Sequence, residues 1–440
     1  MLKMKKIIFL LFNFCSLLFF ASCSVTKQIS KQADTILLKD TAISTGNIGI
    51  SIYEPATNTY WYNYNATHYF IPASNTKLFT LYAGMKYLED SLVGLRVFND
   101  EGSLYLFPSG DPTLLNKEFS YQPVFNYLKN SKALHITIVD SVWRDEPLGS
   151  GWSWNDYNDD YMAERSSLPV FGNLIEISGT PSDLHLTPRL SFTFQYEGQL
   201  QLSGTYRELG TNNFNFKFNG DRKKTFYIPF ATLKGETNKK ILSDTLHQKI
   251  LPQNDFVPVM PGDKRVIVIH SQPTDSLFKP MMHRSDNFFA EQTLLMVSNE
   301  HLGYMSDEKI IDTLLKTGLK DVPQKPKWVD GSGLSRYNLF TPQSFVYIIN
   351  KTKNEFGWER LKNILPTGGT GTLSSYYKKD SGFIYAKTGT LSNNCALSGV
   401  LITKKGKLLI FSVLVNNYIT GATPVRKAVE KFLLAIREDY

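Results

Sequence analysis

Alternating apolar and polar residues predict strands near both ends of the chain. Residues 48–53 and 60–62 follow the two-residue period of a half-buried strand and flank the turn signal Pro-Ala-Thr-Asn. Apolar, β-rich runs return at 383–390, 396–403 and 407–415. We expect these three runs to be antiparallel strands that complete the sheet begun by the first two.

Helical spacing separates these strands and closes the chain. Apolar residues recur at intervals of three and four after a proline, which predicts a helix from about Ser74 to Leu88. Further helices are predicted at 277–296 and at 308–317, where Gly318 ends the second one, and a last helix starts at Pro424. The pattern favours an α/β (α+β) domain in which helices flank an antiparallel sheet.

The long middle of the chain, from about residue 97 to 272, has a different pattern. Short alternating strands, such as 192–196 and 214–218, are separated by glycine turns. The segments on either side would form one compact α/β unit if they were joined. We therefore interpret the middle as a mostly β insertion within a larger domain.

Composition and charge narrow the function classes. The chain has 440 residues and a formal charge of +8, which predicts two or three domains and a mildly basic surface. Its Lys and Arg residues are scattered, whereas a nucleic-acid-binding face needs clustered basic charge, so we expect no nucleic-acid partner. A mildly basic surface suits an anionic wall or a substrate carboxylate.

The first residues resemble a secretion signal. Three lysines precede an apolar run at 7–20, which is short for a membrane span, and Ala21-Ser22-Cys23 follows it. Small residues before a cysteine resemble a bacterial lipoprotein processing site, so Cys23 is the predicted lipidation site and residues 1–23 the signal peptide. Simple cleavage and an uncleaved anchor are the alternatives. In each case the mature chain lies outside the cytoplasm, in the periplasm and membrane-anchored if lipidated.

Cysteine usage predicts neither a disulfide framework nor a thiol nucleophile. Cys395 is the one cysteine outside the leader, and it lies in an apolar, strand-like stretch. A small buried side chain is the simplest interpretation.

Three short strings, in order along the chain, suggest acyl-transfer chemistry in which a lysine activates a serine. They are Ser-Asn-Thr-Lys at 74–77, Ser-Asp-Asn at 285–287 and Lys-Thr-Gly at 387–389. Each type is common, and Ser-x-x-Lys also starts at Ser306, while Lys-Thr-Gly recurs at 316–318. The second Lys-Thr-Gly falls at a predicted helix end and not in a strand, so the order, separation and local structure of the strings carry the information.

Ser74 and Lys77 would share one face at the start of a helix, where free N–H groups can stabilise an oxyanion. Lys77 can act as a general base only if burial or a neighbouring positive charge disfavours its ammonium form, and Lys387 is the candidate for that charge. The alternative is that Ser74 only caps the helix and Lys77 lies on the surface.

The other two strings would serve proton transfer and substrate binding. Ser285 could relay a proton, and the Asn287 amide could hydrogen-bond the lysine and the substrate; a helix cap is again the alternative. In the third string, Lys387 and Thr388 offer a cation and a hydroxyl to a terminal carboxylate. Gly389 would let the substrate pair along the strand edge, and the N–H of Thr390 could complete an oxyanion hole.

With these strings the sequence resembles the serine D-Ala-D-Ala peptidases of the penicillin-binding proteins, most clearly the class C, low-molecular-mass carboxypeptidase/endopeptidase type. Longer strings along most of the chain add to the resemblance: Ser-Gly-Asp-Pro-Thr-Leu at 109–114, Gly-Trp-Ser-Trp-Asn-Asp at 151–156, Asp-Gly-Ser-Gly-Leu-Ser-Arg at 330–336 and Gly-Thr-Leu at 371–373.

The resemblance implies a serine D,D-peptidase/β-lactamase-like domain with nested β-rich inserted domains. The implied division is a catalytic domain in two parts (28–96 and 273–440), a second domain (97–182, returning at 231–272) and a nested third domain (183–230). It also implies hydrolysis of D-Ala-D-Ala bonds or crosslinks in peptidoglycan, covalent inhibition by β-lactams, and no cofactor or metal. By the same resemblance, Asp156 would meet the free amino end of a diaminopimelate side chain and Arg336 its carboxylate. From the residues alone, Asp156 beside two tryptophans also fits a loop anchor.

Two other functions fit parts of the pattern. A β-lactamase would need a dedicated group near the serine for fast deacylation, and the sequence assigns none. A wall-binding lipoprotein that has lost catalysis is a further alternative, although such loss usually removes Ser74, Lys77 or Lys387, which are all present.

Overall fold

A computed structural model describes residues 25–180, 183–189, 194–197, 204–217, 225–251 and 259–440. The predicted leader with Cys23, and residues 192–193 of one predicted strand, lie outside these ranges. The described chain divides into two compact units. The first contains the residues up to Leu78, together with Asp321–Trp328 and Asn338–Tyr440, and the second contains Phe79–Lys320 and Val329–Tyr337. Among the helices described, none is long and apolar enough to cross a membrane.

The strands are numbered along the chain. They are β1 (Asn47–Glu54), β2 (Thr59–Tyr64), β3 (Ser91–Asp100), β4 (Ser103–Pro108), β5 (His135–Ile138), β6 (Leu174–Thr180), β7 (Asp183–Thr187), β8 (Phe194–Glu197), β9 (Gly204–Arg207), β10 (Phe214–Lys217), β11 (Phe226–Pro229), β12 (Ile250–Leu251), β13 (Ile267–Pro273), β14 (Ile384–Leu391), β15 (Asn394–Ile402) and β16 (Leu408–Asn416).

The α-helices are numbered in the same way. They are α1 (Lys77–Tyr87), α2 (Pro123–Asn130), α3 (Glu236–Leu246), α4 (Thr274–His283), α5 (Asn287–Leu302), α6 (Asp307–Lys316), α7 (Pro342–Phe356), α8 (Trp358–Ile364) and α9 (Ala422–Asp439). Residues 25–32 are also helical and continue as a π-helix, Ala33–Leu38.

The first unit is built on the antiparallel sheet that the sequence predicts. Its strand order is β14-β15-β16-β1-β2, so the three C-terminal strands pair with the two N-terminal ones. Buried side chains of the sheet and of α9, such as Ile50, Val413 and Phe432, belong to one core. Cys395 lies in this core, as predicted, and burial raises the pKa of its thiol.

The prediction of one continuous helix at 277–296 is wrong. The structure has two, α4 and α5, because Ser285 between them adopts φ of +64°, in the left-handed region. Asp286 then caps α5 by accepting a hydrogen bond from the backbone N–H of Phe289 at 2.8 Å. The Lys-Thr-Gly copy at 316–318 is a helix end, as predicted, since α6 finishes at Lys316.

The second unit contains the middle of the chain and is rich in strands. One sheet has the order β12-β5-β4-β3-β13, and two three-stranded sheets have the orders β11-β6-β7 and β8-β10-β9. Helices α2 and α3 accompany them. The nested boundaries drawn at residues 183 and 231 stay predictions.

A buried carboxylate organises the Ser-Gly-Asp-Pro-Thr-Leu string of the second unit. Gly110, with φ of +84°, turns the chain after β4, and its N–H donates to the Ser167 carbonyl at 2.8 Å. The Asp111 carboxylate then accepts hydrogen bonds from the N–H and the hydroxyl of Thr113, at 3.0 and 2.9 Å. Burial raises the pKa of Asp111 from 3.8 to about 6, although the Thr113 hydrogen bonds lower it in part.

This raised pKa predicts that Asp111→Asn removes a pH-dependent loss of stability. Between the unfolded and folded pKa values, native Asp111 holds a proton that the unfolded chain has released, so stability falls as pH rises through this window. Two pKa units correspond to about 3 kcal/mol at most. Wild type should therefore lose thermal stability relative to Asp111→Asn between about pH 4 and about pH 7, as measured by the melting temperature of both proteins in the same buffers. Parallel curves would contradict the prediction.

Candidate active site

The predicted nucleophile lies at a strained start of α1. Residues Ala73–Thr76 form a 3-10 turn that leads directly into the helix, and Ala73 adopts φ of +48°. Ser74 lies inside this turn, and Pro72 takes the position of the helix cap. Among residues 72–80, all of which the structure describes, Ser74 alone is not buried. The interpretation of Ser74 as a simple helix cap is therefore wrong.

Two buried lysines accompany this serine. Lys77 Nζ lies 3.0 Å from Ser74 Oγ, and the side chains of both Lys77 and Lys387 are fully buried. Burial first, and then the charge of Lys77, hold the pKa of Lys387 well below its usual value. Because both side chains are buried, water screens the repulsion between their ammonium groups only weakly. The state in which both lysines are protonated is therefore disfavoured. The alternative of Lys77 as a surface residue is wrong.

Strand β14 presents the third string at an open sheet edge. It is the first strand in the sheet order, and the N–H of Ala386 points away from β15 to donate to the Pro366 carbonyl at 3.0 Å. Backbone groups alternate in direction along a strand, so the N–H groups of Thr388 and Thr390 lie on this same edge. The edge character predicted for this strand is confirmed.

The structure gives a reason for glycine at position 389 that the sequence did not suggest. A Cβ atom there would lie 2.6 Å from the Pro72 carbonyl oxygen and 3.1 Å from the backbone N of Asn75. Glycine therefore lets β14 pass close to the turn that carries Ser74. The Asn75 side-chain amide fixes the same approach by donating to the Lys387 carbonyl at 3.1 Å.

Thr388, in the third string, and Thr390, just after it, have further neighbours. Thr388 is half-buried and borders a small cavity shared with Cys395 and Arg426. Thr390 is exposed, and its hydroxyl accepts a hydrogen bond from Arg426 at 2.5 Å. Sequence reasoning missed Arg426, which lies on α9 and carries no motif.

Ser285 and Asn287 lie in the second unit, on either side of the cap of α5. Both are half-buried and border a cavity of about 710 Å³ in that unit. The Asn287 amide donates to the Tyr161 carbonyl at 3.0 Å. Asp286 accepts hydrogen bonds from the Phe289 N–H and from Arg284, so it supports the loop.

Asp156 and Arg336 lie on two loops of the second unit that contact each other. Asp156 ends the 3-10 turn Trp154–Asp156 and is half-buried, while Arg336 is exposed. The loops are joined because Trp152 Nε1 donates to the Asp330 carboxylate at 2.9 Å and the Arg336 N–H donates to the Gly151 carbonyl at 3.2 Å. The Trp152 bond involves side chains, whereas the Arg336 bond joins backbone groups only.

A buried charge cluster in the second unit also escaped sequence reasoning. The Arg165 guanidinium contacts the carboxylates of Asp145 at 2.8 Å, Asp307 at 2.5 Å and Glu291 at 3.4 Å. Burial, and next the charge of Asp330, raise the pKa of Glu291 to about 8, although Arg165 lowers it in part. The four residues are distant in sequence, so no local signal could have indicated them. In the part of the chain that the structure describes, no group of three His, Cys, Asp or Glu side chains could hold a metal ion.

Comparison with known proteins gives consistent similarities. The chain is 24% identical to a D-alanyl-D-alanine carboxypeptidase, DacB, of Haemophilus influenzae over 85% of this chain and 86% of that protein. It is 25% identical to a D-alanyl-D-alanine carboxypeptidase of Actinomadura sp. over 92% and 84% of the two chains. Its fold is similar to the crystal structure of penicillin-binding protein 4 from H. influenzae, with a TM-score of 0.72 at 18% identity, covering 93% of this chain and 99% of the other.

The family model for the D-Ala-D-Ala carboxypeptidase 3 (S13) family matches residues 29–206 and 233–436. The two segments cover most of the chain and include Ser74, Ser285 and Lys387. The chain therefore belongs to the D-Ala-D-Ala carboxypeptidase 3 (S13) family.

Proposed function

We propose that the chain is a serine-type D-alanyl-D-alanine carboxypeptidase that also cleaves D,D-crosslinks of peptidoglycan through an acyl-enzyme at Ser74. The observation that carries the proposal is the 3.0 Å contact between half-buried Ser74 and fully buried Lys77, beside buried Lys387. Membership of the S13 family supports the class of bond.

In the acylation step, neutral Lys77 accepts the proton of Ser74 Oγ, and the oxygen attacks the carbonyl carbon of the penultimate D-alanine. A lysine base needs its neutral form, and Lys77 is fully buried beside Lys387; burial and a neighbouring positive charge both disfavour an ammonium group. The carbonyl oxygen becomes an oxyanion, which accepts hydrogen bonds from the N–H groups of Ser74 and Thr390. Donors fixed in this way stabilise the transition state more than the substrate.

The leaving amine then needs a proton. From the Ser-Asp-Asn string, we assign Ser285 as the group that relays this proton from Lys77 to the amine. The Asn287 amide would hydrogen-bond both the lysine and the substrate backbone. The C–N bond breaks, D-alanine or the crosslink amine departs, and a water molecule hydrolyses the ester at Ser74.

Binding groups complete the proposal. Lys387 and Thr388 would bind the terminal carboxylate of the stem peptide or of a β-lactam, which would then acylate Ser74 and inhibit the enzyme. Asp156 would meet the free amino group of the diamino acid and Arg336 its carboxylate. A second structure of the H. influenzae penicillin-binding protein 4, complexed with a β-lactam, has a fold similar to this chain at a TM-score of 0.65 and 17% identity. Export to the periplasm and lipidation at Cys23 belong to the same proposal.

We expect Ser74→Ala to abolish both labelling by a fluorescent penicillin and release of D-alanine from purified muropeptides, a loss of at least about 10³-fold. Ser306→Ala is the matched control. It alters another Ser-x-x-Lys string, but Ser306 caps α6, so only about 1 kcal/mol of stability should be lost and labelling kept.

Mass spectrometry of the muropeptide products separates the activities. Wild type should shorten pentapeptides and also split crosslinked dimers. If wild type leaves the crosslinked dimers intact while it shortens pentapeptides, its function is restricted to that of a carboxypeptidase. Absence of a penicillin adduct on folded wild type would sink the proposal, and nitrocefin turnover faster than about one per second would favour a β-lactamase.

Lys387→Met should shift the acidic limb of the acylation-rate profile to higher pH, by about one unit or more. The substitution removes the charge that disfavours protonation of Lys77, so Lys77 stays protonated to a higher pH and acts as a base over a narrower range. The measurement is the second-order rate of penicillin acylation as a function of pH. Lys407→Met is the control, because that ammonium pairs with Glu54, and an unshifted limb in Lys387→Met would contradict the role of the lysine pair.

Gly389→Ala should lower the acylation rate by about a hundredfold or more, because its Cβ would push β14 away from Pro72 and move the Thr390 N–H relative to Ser74. Gly421→Ala is the control, since a Cβ there meets nothing within 4 Å. Both variants should be compared by stopped-flow acylation at equal protein concentration. A Gly389→Ala protein that acylates like wild type would show that the Thr390 N–H takes no part.

A further inference from the structure

The loop that carries Asp156 has little regular structure of its own. Within residues 151–161 it consists of the 3-10 turn Trp154–Asp156 and the start of a second one, Asp160–Met162. Trp154 is 74% exposed, and Asp156 is half-buried. Short turns of this kind hold a side chain in place only when neighbouring elements fix the backbone.

One residue of a distant strand, Arg207, contacts this loop through both its backbone and its guanidinium. Arg207 is the last residue of β9, and its side chain is 1% exposed. The backbone N–H of Arg207 donates to Asn158 Oδ1 at 2.8 Å, and its backbone carbonyl accepts a hydrogen bond from the Tyr157 hydroxyl at 2.5 Å. Its guanidinium donates to the Tyr157 carbonyl at 3.4 Å, directly after Asp156.

The guanidinium is held in turn by a buried carboxylate. Arg207 Nη1 lies 3.3 Å from Glu164 Oε1, while Glu164 Oε2 accepts hydrogen bonds from the N–H and the hydroxyl of Thr232 at 2.7 and 2.9 Å. A buried ion pair whose remaining acceptors are hydrogen-bonded has one preferred geometry. This pair therefore joins the β9 hairpin, the Asp156 loop and the segment after β11.

The same loop reaches two other parts of the proposed site. Burial, and next the neighbouring carboxylates of Asp159 and Asp156, raise the pKa of the Tyr161 hydroxyl. The Tyr161 carbonyl accepts the Asn287 amide at 3.0 Å. A shift of the loop would thus displace both the Asp156 carboxylate and the partner of Asn287.

We propose that Arg207 is a positioning residue that sets substrate selectivity by holding the Asp156 loop from the β9 hairpin. The inference rests on the proposed function, because it takes Asp156 as the group that recognises a free amino group on the stem peptide. Arg207 lies just beyond the first segment that the family model matches, which ends at residue 206.

The test uses two peptide substrates that end in D-Ala-D-Ala. In one, the preceding diamino acid has a free side-chain amine, and in the other that amine is acetylated. Wild type should prefer the free amine by at least about tenfold in kcat/KM, which corresponds to about 1.4 kcal/mol. Arg207→Met should reduce the preference to below about twofold, mainly through KM for the free-amine substrate. Arg207→Lys, which cannot reach both Glu164 and the Tyr157 carbonyl, should restore part of it.

A double-mutant cycle ties the effect to Asp156. Asp156→Ala alone should abolish the preference, and Asp156→Ala combined with Arg207→Met should lower it no further, since both act on one contact. Arg96→Met is the matched control. It removes an ion pair of the same unit, to Glu300, and should keep the wild-type preference.

The outcomes separate this inference from the proposed function. A wild type without any preference would remove the proposed role of Asp156 and this inference with it. If Asp156→Ala abolishes the preference but Arg207→Met keeps it, the role of Asp156 stands and only the inference about Arg207 is overturned. An equal loss for both substrates in Arg207→Met would show a merely structural role and would also overturn it. If Arg207→Met fails to fold, Tyr157→Phe removes one hydrogen bond and should lower the preference about two- to threefold, and an unchanged preference there would overturn it.

Discussion

The first unit depends on burying two lysines beside a half-buried serine. Removing an ammonium group from water carries a penalty of several kcal/mol, and both Lys77 and Lys387 are fully buried. The sheet has to bring Lys387 to the start of α1 against their repulsion. It can do so because Gly389 lets β14 pass close to Pro72 and because Asn75 hydrogen-bonds the Lys387 carbonyl. In the proposed mechanism the penalty is also useful, because a lysine pair that resists double protonation would provide the neutral amine that activates Ser74.

Backbone strain occurs beside the proposed catalytic serines in both units. Ala73 and Ser285 are not glycines, yet both adopt left-handed φ values, which costs on the order of 1–3 kcal/mol each. Ala73 is held by burial, at 1% exposure, and turns the chain so that Ser74 is less buried than its neighbours. Ser285 is held between α4 and the Asp286 cap of α5. Such strain persists only where surrounding packing determines the conformation, which fits rigid placement of both serines.

The sequence predicts what is local and misses what is distant. The sheet of the first unit could be predicted because the two-residue period is a property of each strand, and Ser74, Lys77 and Lys387 because their strings fall at a helix start and an edge strand. The break at Ser285 was missed in the helix prediction, since the apolar period continues through 277–296 and the left-handed residue is not a glycine, although a helix cap in the Ser-Asp-Asn string was the alternative. The longer strings were recognisable, but not their contacts. Trp152 meets Asp330 across 178 positions, and Tyr157 meets Arg207 across 50.

The same electrostatic argument applies with opposite sign to the Arg165 cluster of the second unit. One guanidinium faces three carboxylates there, so it cannot neutralise them all, and burial raises the pKa of Asp145 to about 6 and that of Glu291 to about 8. Around the lysines, burial and a second positive charge both favour loss of a proton from Lys387. Around Arg165, excess negative charge retains a proton, and Glu291 Oε1 still accepts the Ser332 N–H at 2.7 Å. Glu291 lies one turn after Asn287 on α5, so this buried network fixes that helix to the loop of Asp330.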